Sequence, residues 1–327
     1  MASNKKLNLP VYTYEFVPAE KAETTLFEKA EDIKAAQAEL MKEKQTIFQK
    51  YLDMIASGEL IPEMDGKQFR CKTLYNQGGV MIFKMENLKD EEYPWNFGIA
   101  KHQIGPNCHV IIDNRKDMQH IAIERKRDAF SSTNVVKNIL SATLKPLLKK
   151  EGLILDINPQ FQPKEFWDYI EAERMYGIKE IRFYFPYPNL PAISDKYGEY
   201  MKQVGLDYKC MPGLILFAPD DLDMELNKED LALNFYLGAA SESGIPIAVK
   251  SKRKDARVHM VGRNSSITWG MDKSTLDALD PRPDEAQTQQ MQLEFMEQEA
   301  KQEMEEKIAE FVNNGRFMKT GTDNENA

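Results

Sequence analysis

Asp113, Glu124 and Lys126 come nearest to a catalytic set in this sequence. An Asp ending one strand and a Glu-x-Lys on the next supply two carboxylates for a divalent ion, with His120 on the same strand face as Glu124 and Lys126. The spacing argues against it. With Asn114 to Asp117 as a tight loop, Asp113 falls opposite Met118 and Glu124 lies six residues further along, roughly 20 Å away at strand rise. Only a wide bulge or a longer loop would bring the two together. Cys108, His109 and His102 invite a zinc reading, but neighbouring strand residues point to opposite faces, and no Cys-x-x-Cys or His-x-x-x-His pair supports it. Asp220, Asp221, Asp223 and Glu225 lack the Gly and distal Glu of a calcium loop. They precede a helix, where acids suit the positive end. No phosphate-loop, dinucleotide or Gly-x-Ser-x-Gly fingerprint is present, so neither a metal nor a cofactor is expected.

Charge is more informative than any motif. The net charge of −9 disfavours indiscriminate coating of nucleic acid. It hides a segregation, however. Residues 101–150 carry ten Lys/Arg against four acids, and residues 250–263 six against Asp255 alone. Residues 219–230 carry six acids against Lys228, and the chain from Asp280 onward twelve acids against five bases. The basic residues fall where loops are expected. Arg115 and Lys116 lie in a hairpin loop. Arg125, Lys126 and Arg127 end the next strand. Lys252, Arg253, Lys254 and Arg257 leave another strand, with Arg263 shortly after. Such side chains can reach phosphates and release counterions. The competing reading is a solvated surface balanced by the acidic segments.

The elements that must position these residues read as follows. Leu9 to Val17 is a strand, stopped by Pro18. Glu20 to Ser57 is a long amphipathic helix with one apolar stripe, closed by Gly58. Gln68 to Tyr75 and Val80 to Glu86 form a hairpin around Asn76–Gly79. His109 to Asp113 and Gln119 to Arg125 form another. Ser131 to Asn134 supply caps for a helix from Val135 to Lys150, with a kink expected at Pro146. Strand, helix, strand then follows as Leu153–Ile157, Pro163–Tyr176 and Ile178–Phe185, an α/β unit by its spacing. Helices at Ser194–Val204 and Lys228–Ser243 continue the alternation with strands at Leu214–Phe217 and Ile245–Ser251. Short strands at Val258–Val261 and Ser266–Trp269 complete the ordered part. A helix-prone acidic segment, Gln287 to Val312, and an expected disordered end follow Asp280-Pro-Arg-Pro-Asp.

The fold class is therefore α/β in the broad sense, a mixed α+β chain with a mixed sheet and flanking helices. Three regions are expected: 1–106 with the long helix and a hairpin, 107–280 as the core, and 281–327 as an acidic tail. A hydrophobic fraction of 42% with 10% aromatics excludes global disorder. No apolar window approaches a membrane span, and the first residues lack the apolar stretch of a signal peptide. Cys71, Cys108 and Cys210 are odd in number and widely spaced, so a cytoplasmic address is expected.

Two resemblances accompany this reading. The Asp…Glu-x-Lys arrangement resembles the core of restriction-type nucleases, subject to the geometric objection above. The stretch from Gln119 to Ser251 resembles phage-exclusion proteins of the RexA type and their bacterial relatives. It does so through Ile121-Ala-Ile-Glu-Arg-Lys-Arg-Asp-Ala-Phe130, Leu147-Leu-Lys-Lys-Glu-Gly-Leu-Ile-Leu-Asp-Ile-Asn-Pro159, Ile178-Lys-Glu-Ile-Arg-Phe-Tyr-Phe-Pro-Tyr-Pro-Asn189 and Ala240-Ser-Glu-Ser-Gly-Ile-Pro-Ile-Ala-Val249. This resemblance covers under half the chain and implies a dimeric, sequence-tolerant DNA-binding protein of host–phage conflict without a catalytic centre. It assigns no individual residue. The expectation is a non-catalytic homodimer that contacts nucleic-acid backbone through the ten basic residues named above, with the acidic tail competing for that surface. The alternative is an interaction or scaffold protein acting through its two long helices, and a nuclease is the third reading.

Overall fold

The alternation of Tyr12, Tyr14 and Phe16 with Thr13 and Glu15 makes β1 (Lys6–Pro18) a two-faced strand, and the larger sheet is assembled on it. The computed structural model describes residues 6–19, 30–95, 98–116, 118–184, 213–219, 222–253, 259–262 and 265–280. By its contacts the chain divides into two units, Pro10–Ile267 and a second made of Met1–Leu9 with Thr268–Ala327.

In the first unit, α1 (Ala30–Ser57) leads through the short pair β2 (Glu63–Met64) and β3 (Lys67–Gln68) to the hairpin β4 (Cys71–Gln77) and β5 (Val80–Glu86). The hairpin β6 (Lys89–Trp95) and β7 (Gly98–Ile104) comes next, in a polar, Pro- and Gly-containing stretch in which the sequence suggests no element. Pro94 and the acids of β6 break the apolar alternation that marks a half-buried strand. Then follow β8 (Asn107–Asp113), β9 (His120–Ile123), α2 (Thr133–Lys150) and β10 (Leu153–Pro159). The strands lie in the order β10-β1-β9-β8-β5-β4, and each of these neighbours is antiparallel. One face carries Tyr12, Tyr14, Phe16, Phe83, Val110 and Ile121 against Phe48, Leu52 and Ile55 of α1 and Ile139, Leu144 and Leu148 of α2. α2 passes through Pro146 without ending, because that residue sits on the exposed side, where water can satisfy the freed carbonyl. Because β5 and β8 pair over seven residues, the chain on both sides of position 106 shares this sheet and core.

The second core is smaller. α3 (Pro163–Glu173) and a 3₁₀ turn (Arg174–Tyr176) lead to β11 (Ile178–Tyr184). Beyond residues 185–212 come β12 (Gly213–Phe217), α4 (Leu231–Ser243), β13 (Ile247–Ser251) and β14 (His259–Val261), in the sheet order β12-β11-β13-β14. Phe166, Ile181, Phe183, Leu237 and Val249 form its centre. Gly244 closes α4 at φ 71°, and a Cβ there would stand 3.0 Å from the carbonyl oxygens of Asn158 and Pro159. Only glycine meets both demands.

The mixed α+β class expected from the sequence is what the chain adopts. The expected mixed sheet is corrected, because the pairings in both sheets are antiparallel. The α/β unit expected at 153–185 is corrected too, because β10 and β11 lie in different sheets. Strand–helix–strand passages within one sheet occur instead around α2 and α4. β9 and β10 run parallel to each other across α2, but β1 lies between them. β12 and β13 do the same across α4, with β11 between. Each is a split β-α-β unit whose middle strand comes from elsewhere in the chain, which local spacing cannot announce.

In the second unit, β15 (Thr268–Asp272) runs straight into the one-and-a-half-turn helix α5 (Lys273–Ala278), with Trp269, Met271 and Leu276 buried. The expected helix at 194–204, the start of α1 at 20–29 and the acidic tail from 281 lie outside the described residues.

Candidate nucleic-acid interface

The β8–β9 hairpin separates the first two basic groups instead of joining them. Its register sets Asp113 opposite His120 and Val110 opposite Ile123, and the Glu124 amide donates to the His109 carbonyl. Arg115 and Lys116 therefore stand at one end of the hairpin and Arg125 to Arg127 at the other. Asp113 and Glu124 are offset by four residues along β8, about 13 Å at strand rise. That is closer than the sequence suggested and still too far for one ion.

Arg115 is not a free cation. Its Nε and a terminal nitrogen donate to the two oxygens of Asp113 at 3.0 Å each, and its backbone N–H donates to Asp113 Oδ1 at 3.2 Å. Asp113 is fully buried. The same turn is fastened to α1. Asn114 Nδ2 donates to the Gln45 carbonyl and Gln49 Oε1, Gln45 Nε2 donates to the Arg115 carbonyl, and the Tyr14 hydroxyl donates to Asn114 Oδ1. Arg115 is thus a clamp on the hairpin turn, and Lys116 alone projects from it.

His120 lies beside this clamp. Burial pushes its pKa down to about 4, against the pull of Asp113, so it is held neutral. The unfolded chain, with an ordinary histidine near 6.5, takes up the proton first as pH falls. Stability from this residue is therefore complete above about pH 6.5, drains away between 6.5 and 4, and is flat below. The loss reaches about 3 kcal/mol. Glu15, raised well above the carboxylate range first by burial and then by Asp156, contributes with the opposite sign. The comparison is therefore between wild type and His120→Gln in urea titrations from pH 4 to 8. The difference in their unfolding free energies should change across the window 4–6.5, and a constant difference would contradict a buried neutral His120.

The turn after β9 is the opposite case. Glu124 is spoken for. Burial pushes its carboxyl up, but hydrogen bonds from the His109 ring (Nδ1, 2.7 Å) and backbone N–H (3.1 Å), with the charge of Lys126, hold it below the usual range. Arg125 and Arg127 are exposed and Lys126 is half-buried, and none of the three has an ion pair among the described residues. The Lys126 carbonyl accepts from the Ala129 and Phe130 amides, which fixes the turn through backbone alone. Two further lysines flank it. Lys89 Nζ donates to the Asp128 carbonyl at 2.6 Å. Lys67 Nζ donates to Asn87 Oδ1 at 2.7 Å, while Asn87 Nδ2 donates to the Ala129 carbonyl. Both anchor to neutral oxygens, so their charge is not cancelled. Sequence reading missed them because β3 and β6 are far from residue 125 along the chain, and only the fold brings them there.

This turn opens directly into α2. Ser132 is its N-cap without a side-chain cap bond, and no acid occupies the first turn. The Tyr12 hydroxyl bonds Thr133 Oγ1 and donates to Asn134 Oδ1. Burial raises the Tyr12 pKa, with the Thr133 bond and the nearby Arg125 charge opposing. The Arg125 charge and the first residues of α2 thus both lie near the Tyr12 hydroxyl.

The third basic group belongs to the second core. Lys252 Nζ bonds the Pro219 and Leu222 carbonyls and pairs with Asp223 at 3.2 Å. Arg253 reaches Glu173 at 3.6 Å and lies over the Tyr176 ring at 5.1 Å. Lys252 thus ties the end of β13 to the segment after β12, and Arg253 ties it to α3 and the 3₁₀ turn. Lys254, Arg257 and Arg263 lie outside the described residues. The single patch expected from ten basic residues is therefore not assembled among the described ones. Its uncancelled parts are Lys116 at one end of the β8–β9 hairpin and, at the other, the turn at 125–127, enlarged by Lys67 and Lys89. No protein-family model matches the chain, and no curated protein or solved structure matches it significantly.

Proposed function

We propose that the protein binds nucleic-acid backbone, without catalysis, through Arg125, Lys126 and Arg127 at the N-terminal end of α2, with Lys67 and Lys89 at the flanks. The observation that carries this reading is the turn itself, with three consecutive cations that form no ion pair among the described residues, beside a helix whose first turn holds no acid. The described site offers no aromatic platform for stacking bases, so binding is to phosphates and tolerant of sequence. The RexA-type resemblance supports the same reading and adds its setting, phage exclusion by a homodimer. Among the described residues no helix is long and apolar enough to cross a membrane.

The test is a gel shift of single- and double-stranded DNA with the full chain across a salt series. Five contacts predict a log–log slope near −4.5 on duplex and a shallower one, about −3.5, on single strands. A slope near zero, or no shift at about 50 mM salt, removes the proposal.

A further inference from the structure

The surface least like a phosphate site lies on the second core. β12 is the last strand of its sheet in the described order, and it turns Leu214 and Leu216 inward. Its other side leaves Ile215 57% and Phe217 59% exposed. On α4, Leu231 at the first position is 87% exposed and Phe235 is 40% exposed. A cleft of about 470 Å³ runs between β12 and α4, floored by Leu216, Met224, Leu226, Leu233 and Tyr236. Apolar side chains exposed in one neighbourhood mark an interaction surface.

The rim tells what kind. Glu225 and Asp230 line the cleft and Glu229 stands next to it. Asp230 is the α4 N-cap, accepting from the Leu233 amide at 3.0 Å. Glu225 and Glu229 have no ion pair among the described residues. The only cation between Leu222 and Leu231 is Lys228. These acids disfavour an anionic occupant at the rim of the cleft, while Arg182 and Glu180 of β11 stand opposite Ile215 and Phe217 on the sheet face. Phe217 already accepts a cation over its ring, with Lys179 Nζ 5.8 Å from the centroid.

We propose that this surface docks a basic amphipathic segment of a partner protein, with apolar side chains seated in the β12–α4 cleft and Lys or Arg over Glu225 and Glu229. It is independent of the 125–127 turn, so either reading can fail alone.

Three labelled synthetic peptides serve as probes by fluorescence anisotropy: a Leu/Lys amphipathic peptide, its Leu/Glu counterpart, and a Ser/Lys peptide of the same charge. The full-length protein should bind the Leu/Lys peptide at least tenfold more tightly than either control. Phe217→Ser and Glu225→Lys should each weaken that binding at least fivefold, and both positions are exposed enough for the fold to tolerate the change. Equal binding of Leu/Lys and Ser/Lys peptides would reduce the effect to bulk charge and overturn the proposal. So would unchanged affinity in both variants. Self-association abolished by Phe217→Ser would assign the surface to a second copy of this chain and overturn it as well.

Discussion

Asp113→Ala should lower the unfolding free energy by about 3 kcal/mol, while Arg115→Ala should leave nucleic-acid affinity within about twofold of wild type. Both expectations follow from the same geometry. The Asp113 carboxylate is fully buried and accepts three hydrogen bonds from Arg115, two of them a side-on pair with the guanidinium. Removing it takes three hydrogen bonds from the guanidinium and the amide of Arg115, in a turn clamped to α1 by Gln45 and Asn114. The guanidinium is 28% exposed and recovers some hydration, which keeps the loss at the lower end of the range for breaking a buried pair. Asp113→Asn keeps one acceptor and should lose about half as much. Urea unfolding at pH 7.5, where His120 does not titrate, measures both. A loss under about 1 kcal/mol for Asp113→Ala would place this pair with ordinary surface ion pairs. A tenfold fall in DNA affinity for Arg115→Ala would restore that residue to the interface.

That contrast also shows where sequence reading reached and where it stopped. The β4–β5 and β8–β9 hairpins, α2, α3, β11 and α4 were legible because their signals are local. These are Gly78-Gly79 between alternating runs, Pro163 opening a helix, and Gly177 and Gly244 closing others. The insertion of β1 between β9 and β10 was not legible, since strand partners 100 residues apart leave no mark on either segment. The same limit governs the site. Basic residues were found by counting charge, but whether each charge is cancelled depends on register. Arg115 turns back onto Asp113 two residues away, and Lys252 meets Asp223 only through the sheet. Composition treats these like Arg127, which forms no ion pair among the described residues. Lys67 and Lys89 join the turn through Asn87 and Asp128, contacts that no motif encodes.

The triple substitution Arg125→Ala, Lys126→Ala and Arg127→Ala should cost on the order of 100-fold in duplex DNA affinity at about 50 mM salt and flatten the log–log salt slope by about 2.7. Each neutralised phosphate contributes about 0.9 to that slope, so the slope change counts contacts independently of the affinity itself. The fold should hardly register the change. Arg125 and Arg127 are exposed, and the turn is kept by the Lys126 carbonyl, which alanine retains. A stability change within about 0.5 kcal/mol is expected. Lys252→Ala with Arg253→Ala is the matched control. It removes two cations from the same overall charge, but both are held by Asp223, Glu173 and backbone carbonyls. Its slope should stay within about 0.5 of wild type. Equal effects per charge removed would mean that DNA responds only to net charge. A larger effect of the control would move the interface to the second core and away from α2.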